Sequence, residues 1–123
     1  MSATERSPDR SQITAHLHAT ERAAFEAYAR NFGLDPAGLL ALLLARELRV
    51  ARLGSLLVSD VAPPEARGTK VTVHGRDAFL REGVAAVAAK HGVSVSRACA
   101  VLIRAELRES WLDRVLVTRF ESP

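Results

Sequence analysis

The sequence predicts a mainly α fold carrying two short strands, and two observations predict it. The first is a duplication. Residues 33–49, GLDPAGLLALLLARELR, return 59 positions later at 92–108 as GVSVSRACAVLIRAELR. Gly33 matches Gly92, Ala41 matches Ala100, Leu43 matches Leu102, and Glu47-Leu48-Arg49 matches Glu106-Leu107-Arg108. The second is the internal order of each copy: a glycine that closes one helix, a capping residue (Asp35 or Ser94), then a long apolar helix. Leu39, Leu40, Leu42, Leu43, Leu44 and Leu48 cover most of that helix in the first copy, so burial on more than one side is expected. A period of this length marks duplicated units that bury each other.

Composition sets the limits. A chain of 123 residues is one domain's worth, and a 48% apolar fraction suffices for a core. Aromatics are few, so the core is aliphatic and alanine-rich, which favours helices. A net charge of +3 and a pI near 9.7 are compatible with an anionic partner. Cys99 is the single cysteine, which excludes a disulfide within the chain and fits a reduced, cytoplasmic setting. The first residues carry charges and no apolar stretch, unlike a signal peptide, and no apolar run is long enough to cross a bilayer.

Residues 1–11 read as a flexible, solvated arm. The first unit spans 12–59. In Gln12-Ile13-Thr14-Ala15-His16-Leu17, apolar and polar residues alternate with the period of a strand. Thr20 is the expected cap of the helix that follows, and Phe25, Tyr28, Ala29 and Phe32 form its apolar face. Residues 60–69 form a linker stiffened by Pro63-Pro64. The second unit, 70–118, begins with Lys70-Val71-Thr72-Val73-His74, in which Val71 and Val73 face inward and Lys70, Thr72 and His74 outward. Asp77 is the expected cap of its first helix, whose apolar face is Leu80, Val84, Val87 and Ala88. Both units end in an apolar extension, 53–58 and 112–117, and residues 119–123 are a polar tail.

Strand, helix, glycine, capped helix, with Leu17 sixteen positions before Gly33 and the turn Gly92-Val93-Ser94-Val95-Ser96-Arg97 in the second copy, resembles the ribbon–helix–helix family of DNA-binding proteins. The likeness covers most of the chain, and the tandem arrangement resembles the TraY-type accessory proteins of conjugative plasmids. It implies an antiparallel β-ribbon whose outward side chains enter the DNA major groove, with the second helix's N-terminus on a backbone phosphate. A two-stranded ribbon fits that groove. Each unit supplies one strand, so two ribbon–helix–helix repeats in one chain make a single-chain pseudo-dimer. Gln12, Thr14, His16, Lys70, Thr72 and His74 are the expected base-reading residues, and Val93, Ser94, Val95, Ser96 and Arg97 the expected phosphate anchor. In the first copy Asp35 replaces the serine and Pro36 removes an N–H, which weakens that anchor.

The implied partner is double-stranded DNA, bound sequence-specifically by a transcriptional repressor or by a relaxosome factor acting at a transfer origin. Self-association of pseudo-dimers on DNA fits the same reading. A protein–protein adaptor, such as an antitoxin gripping its partner through helices or the apolar extensions, is the alternative. No cofactor is implied. His16, His18, His74 and His91 have no cysteine or acidic cluster to complete a metal set, and no nucleophile–base pairing argues for catalysis.

Overall fold

A computed structural model of the chain describes residues 12–60, 69–74 and 78–121. The fold is mainly helical. Strand β1 (Gln12–Leu17) is followed by α1 (Ala19–Arg30), α2 (Pro36–Arg49) and α3 (Leu53–Ser59). Strand β2 (Thr69–His74) is followed by α4 (Ala78–Lys90), α5 (Val95–Glu109) and α6 (Trp111–Glu121). The expected arm (1–11), most of the linker (61–68) and the cap Asp77 lie outside the described residues.

β1 and β2 pair antiparallel, with Ile13 opposite Val73, Thr14 opposite Thr72 and His16 opposite Lys70. Ile13, Ala15 and Leu17 are buried, whereas Thr14 is half-buried and His16 exposed. The packing beneath the sheet is crossed. β1 lies on α5 and β2 on α2, so each strand covers the long helix of the other half of the chain. The core beneath runs through Leu39, Leu40, Leu43 and Leu44 of α2 and Cys99, Val101, Leu102 and Ile103 of α5. Burial pushes the Cys99 thiol up to about 12, which keeps it a protonated, unreactive core group.

The two glycine turns close alike. Gly33 and Gly92 adopt φ of 73° and 70°, a left-handed conformation open to glycine at little cost. The following N–H of Leu34 reaches back to the Ala29 carbonyl at 3.1 Å, and that of Val93 to the Ala88 carbonyl at 3.0 Å, which is the Schellman closure. Asp35 and Ser94 then cap the next helices, accepting from Gly38 N and Arg97 N.

Several expectations need correction. Thr20 does not cap α1; the helix begins two residues earlier, with His18 as N-cap and Glu21 reaching back to its N–H at 3.1 Å. His18 thus lies just beyond the strand, at the start of α1. Leu42 is 42% exposed, so α2 is covered on most of its surface but not all of it. The apolar extensions are the helices α3 and α6, and α6 runs past the expected tail boundary to Glu121. The expected linker is shorter at both ends, because Thr69 already belongs to β2 and Asp60 caps α3.

The halves are also tied by charge. Arg52 donates two hydrogen bonds to Glu109, at 2.8 and 2.9 Å. Arg46 stacks over the Trp111 ring at 4.2 Å and faces the buried Glu106 carboxylate at 3.8 Å. Among the described residues no single helix is long and apolar enough to cross a membrane.

Candidate nucleic-acid interface

The expected base-reading positions meet in the sheet register. Gln12 pairs with His74, Thr14 with Thr72 and His16 with Lys70. Cross-strand partners share a face and alternate residues share it along a strand, so these six positions lie on the side opposite Ile13, Ala15 and Leu17. The side chains of Gln12, Lys70, Thr72 and His74 lie outside the described residues.

The expected phosphate anchor sits at the start of α5. Ser94 Oγ accepts from Arg97 N at 3.0 Å, satisfying one of the free donors of the first turn. Ser96 Oγ accepts from the backbone N–H of His16 at 3.2 Å and stands 2.9 Å from His16 Nδ1. The C-terminal end of β1 and the first turn of α5 are thus joined, although 80 residues separate the two groups in sequence. His16 is not simply solvent-facing, as expected, but is held by a serine of the anchor. Val93 and Val95 are half-buried against the core, and the Val93 N–H is already donated to the Ala88 carbonyl; Arg97 leaves its side chain 46% exposed.

Sequence reasoning missed Asp60. Its side chain is 1% exposed and accepts two hydrogen bonds from Arg104, at 2.8 and 2.9 Å, with Arg97 a further 3.7 Å away. The Arg104 hydrogen bonds hold its carboxyl below the usual carboxylate range. An aspartate opening a Pro-rich segment reads as a solvated turn residue, and nothing local to it announces a partner 44 positions away. The equivalent N-terminus of α2 differs: Asp35 Oδ1 accepts from Gly38 N at 2.7 Å, and Pro36 at the first position has no N–H to offer. Among the described residues no group of three or more His, Cys, Asp or Glu is arranged to hold a metal ion.

Compared with family models, curated proteins and solved structures, the chain matches none.

Proposed function

We propose that this chain is a single-chain pseudo-dimer of two ribbon–helix–helix repeats that binds double-stranded DNA sequence-specifically, laying its two-stranded ribbon in the major groove. The observation that carries the reading is the register Gln12–His74, Thr14–Thr72, His16–Lys70, which gathers polar positions from both strands on the face away from the core. Their chemistry suits base edges: Gln pairs bidentately with adenine, Lys donates to guanine, and Thr bonds a base or meets a thymine methyl. Further support comes from the crossed packing of β1 on α5 and β2 on α2, and from glycine turns that close identically 59 positions apart. Phosphate is received by the first turn of α5, through its free N–H groups, Ser94, Ser96 and Arg97. Such a protein acts as a repressor or as an accessory factor at a plasmid transfer origin.

Selection from a random duplex pool, followed by titration at several salt concentrations, tests this directly. An enriched motif and a salt-dependent affinity are expected. Gln12→Ala and Lys70→Ala should each relax preference at particular base pairs, at about 1–3 kcal/mol per lost bidentate contact. Unchanged selection by both variants would remove the ribbon as the reading head.

The protein-adaptor reading keeps one specific observation of its own. Val58 is 87% exposed on α3 and Val115 39% exposed on α6, so both extensions present apolar surface. A chain that ignores duplex DNA at low salt would move that reading to the front.

A further inference from the structure

Arg97, Arg104 and Arg108 recur along α5 at spacings that bring them to one side of the helix. Facing Arg97 and Arg104 is the buried carboxylate of Asp60, delivered by the C-terminal end of α3. Its two arginine contacts differ in kind. Arg104 is 11% exposed, binds both carboxylate oxygens at hydrogen-bond distance and also meets Glu21 at 3.5 Å. That pairing is charge-assisted and bidentate, so it is structural. Arg97 reaches Oδ2 with one nitrogen at 3.7 Å, beyond hydrogen-bond length, and its side chain is 46% exposed. A one-point, water-screened ion pair of this sort is weak and readily exchanged. In the first half of the chain, Gly38 stands 59 positions before Arg97, so no counterpart of the contact exists there.

We propose that Asp60 regulates the phosphate-anchoring turn, holding Arg97 on an internal carboxylate in the free protein and yielding it to a DNA phosphate on binding. The proposal rests on the DNA-binding reading above. Arg104 is what makes the exchange workable. After Arg97 leaves, the Asp60 carboxylate keeps two strong donors and is not stranded as a buried unpaired charge. The fixed negative charge lowers the attraction of this turn for any phosphate, so weakly held, non-specific DNA is disfavoured more than a site that positions a phosphate against Arg97. Asp60 therefore acts through Arg97 and not by touching the DNA itself.

The test is a double-mutant cycle on the full chain. Asp60→Asn keeps the side chain's shape and one acceptor for Arg104; Arg97→Gln removes the guanidinium. Affinity for a labelled random-sequence duplex is measured for wild type, each single variant and the double variant, with thermal melting as the check on folding. Asp60→Asn should tighten binding by roughly two- to fivefold, and the gain should vanish in the Arg97→Gln background. An equal gain in both backgrounds would mean that Asp60 acts only through its general charge, and weaker binding by a folded Asp60→Asn protein would mean that it orients Arg97 instead; either overturns the proposal. Should Asp60→Asn not fold, the wild type still decides. The Arg97 side-chain Nε–H resonance should shift on adding duplex, and one that stays put while backbone resonances of the turn move overturns the exchange. A wild-type chain that binds no duplex fails the DNA reading itself, whereas binding with no coupling in the cycle fails this inference alone.

Discussion

Glu47 and Glu106, 59 positions apart, each turn a buried carboxylate onto the backbone N–H of the residue six further on, Leu53 at 2.9 Å and Leu112 at 2.8 Å. Each therefore fastens the start of the next helix, α3 or α6, to the end of the long helix before it. The carboxylate satisfies a donor that a helix N-terminus would otherwise leave open, and its charge suits that end of the helix. Their remaining partners differ. Glu47 also accepts from Arg52 N, while Glu106 accepts from the Tyr28 hydroxyl at 2.5 Å and faces Arg46. Burial, then the bond to Glu106, raises the Tyr28 phenol above its ordinary range, so it stays a donor.

That difference predicts unequal costs. Glu47→Ala should lose about 1–2 kcal/mol, the cost of leaving buried N–H groups unsatisfied. Glu106→Ala should lose about 3 kcal/mol, because it also strands Tyr28 and leaves Arg46 without its carboxylate. Urea denaturation of both variants checks the order, and equal losses would show that the Tyr28 and Arg46 contacts contribute nothing.

The crossed packing predicts mutual dependence of the halves. Cutting the chain between Pro64 and Arg67 should leave neither fragment folded alone, since β1 would lose α5 and β2 would lose α2. Mixing the fragments should restore helical circular dichroism and a cooperative melt. Two independently folded, monomeric fragments would contradict the arrangement.

Ser110 joins α5 to α6 at φ 51° and ψ 45°, the left-handed region, which a residue with a Cβ enters at a cost of roughly 1–2 kcal/mol. Glycine enters it freely but gives up more chain entropy on folding. Ser110→Gly should therefore raise stability by at most about 1 kcal/mol. A lower denaturation midpoint would mean that the serine hydroxyl supplies more than the backbone strain removes.

Acid should weaken the fold through two carboxylates. Hydrogen bonds from Arg104 hold Asp60, and those from Arg52 hold Glu109, below the ordinary carboxylate range. The unfolded chain then binds protons more readily than the folded one. The stabilisation is complete above the ordinary value of about 4 and is lost as pH falls through the depressed folded values. Urea midpoints should stay level from neutrality to about pH 5 and fall below about pH 4. Asp60→Asn should make that fall shallower; an unaltered acid limb would show that Asp60 adds no pH-dependent stability.

What was legible in the sequence was local and periodic. Glycines at positions needing positive φ, cap residues before apolar runs, and an alternating strand over Gln12–Leu17 all carry their physics within a few residues. What was not legible depends on partners far away in sequence. The His18 start of α1 relies on Glu21 rather than on a strong capping type, so Thr20 drew the expectation instead. Leu42 belongs to an apolar stretch, and only the tertiary arrangement decides which side of α2 is left uncovered. The contacts His16–Ser96 and Asp60–Arg104 join groups 80 and 44 positions apart, and no spacing rule reaches that far.

The two helix starts carry the last prediction. Asp35 and Ser94 make the same capping bond, at 2.7 Å to Gly38 N and 3.0 Å to Arg97 N, with opposite consequences for an approaching phosphate. Ser94 itself brings no charge to the positive end of α5, whereas the exposed Asp35 carboxylate opposes that of α2 and repels an anion. Serine caps a helix about as well as aspartate, so Asp35→Ser should change stability by no more than about 0.5 kcal/mol. It removes the repelling charge, and DNA affinity should rise at low salt. If the freed turn takes up a phosphate, the slope of log affinity against log salt should steepen by about one. Pro36 still withholds its N–H, so the gain should remain smaller than the loss caused by Arg97→Gln at the other anchor. Unchanged affinity and slope in a folded Asp35→Ser protein would show that the first helix start stands away from the DNA, leaving α5 as the sole phosphate contact of this type.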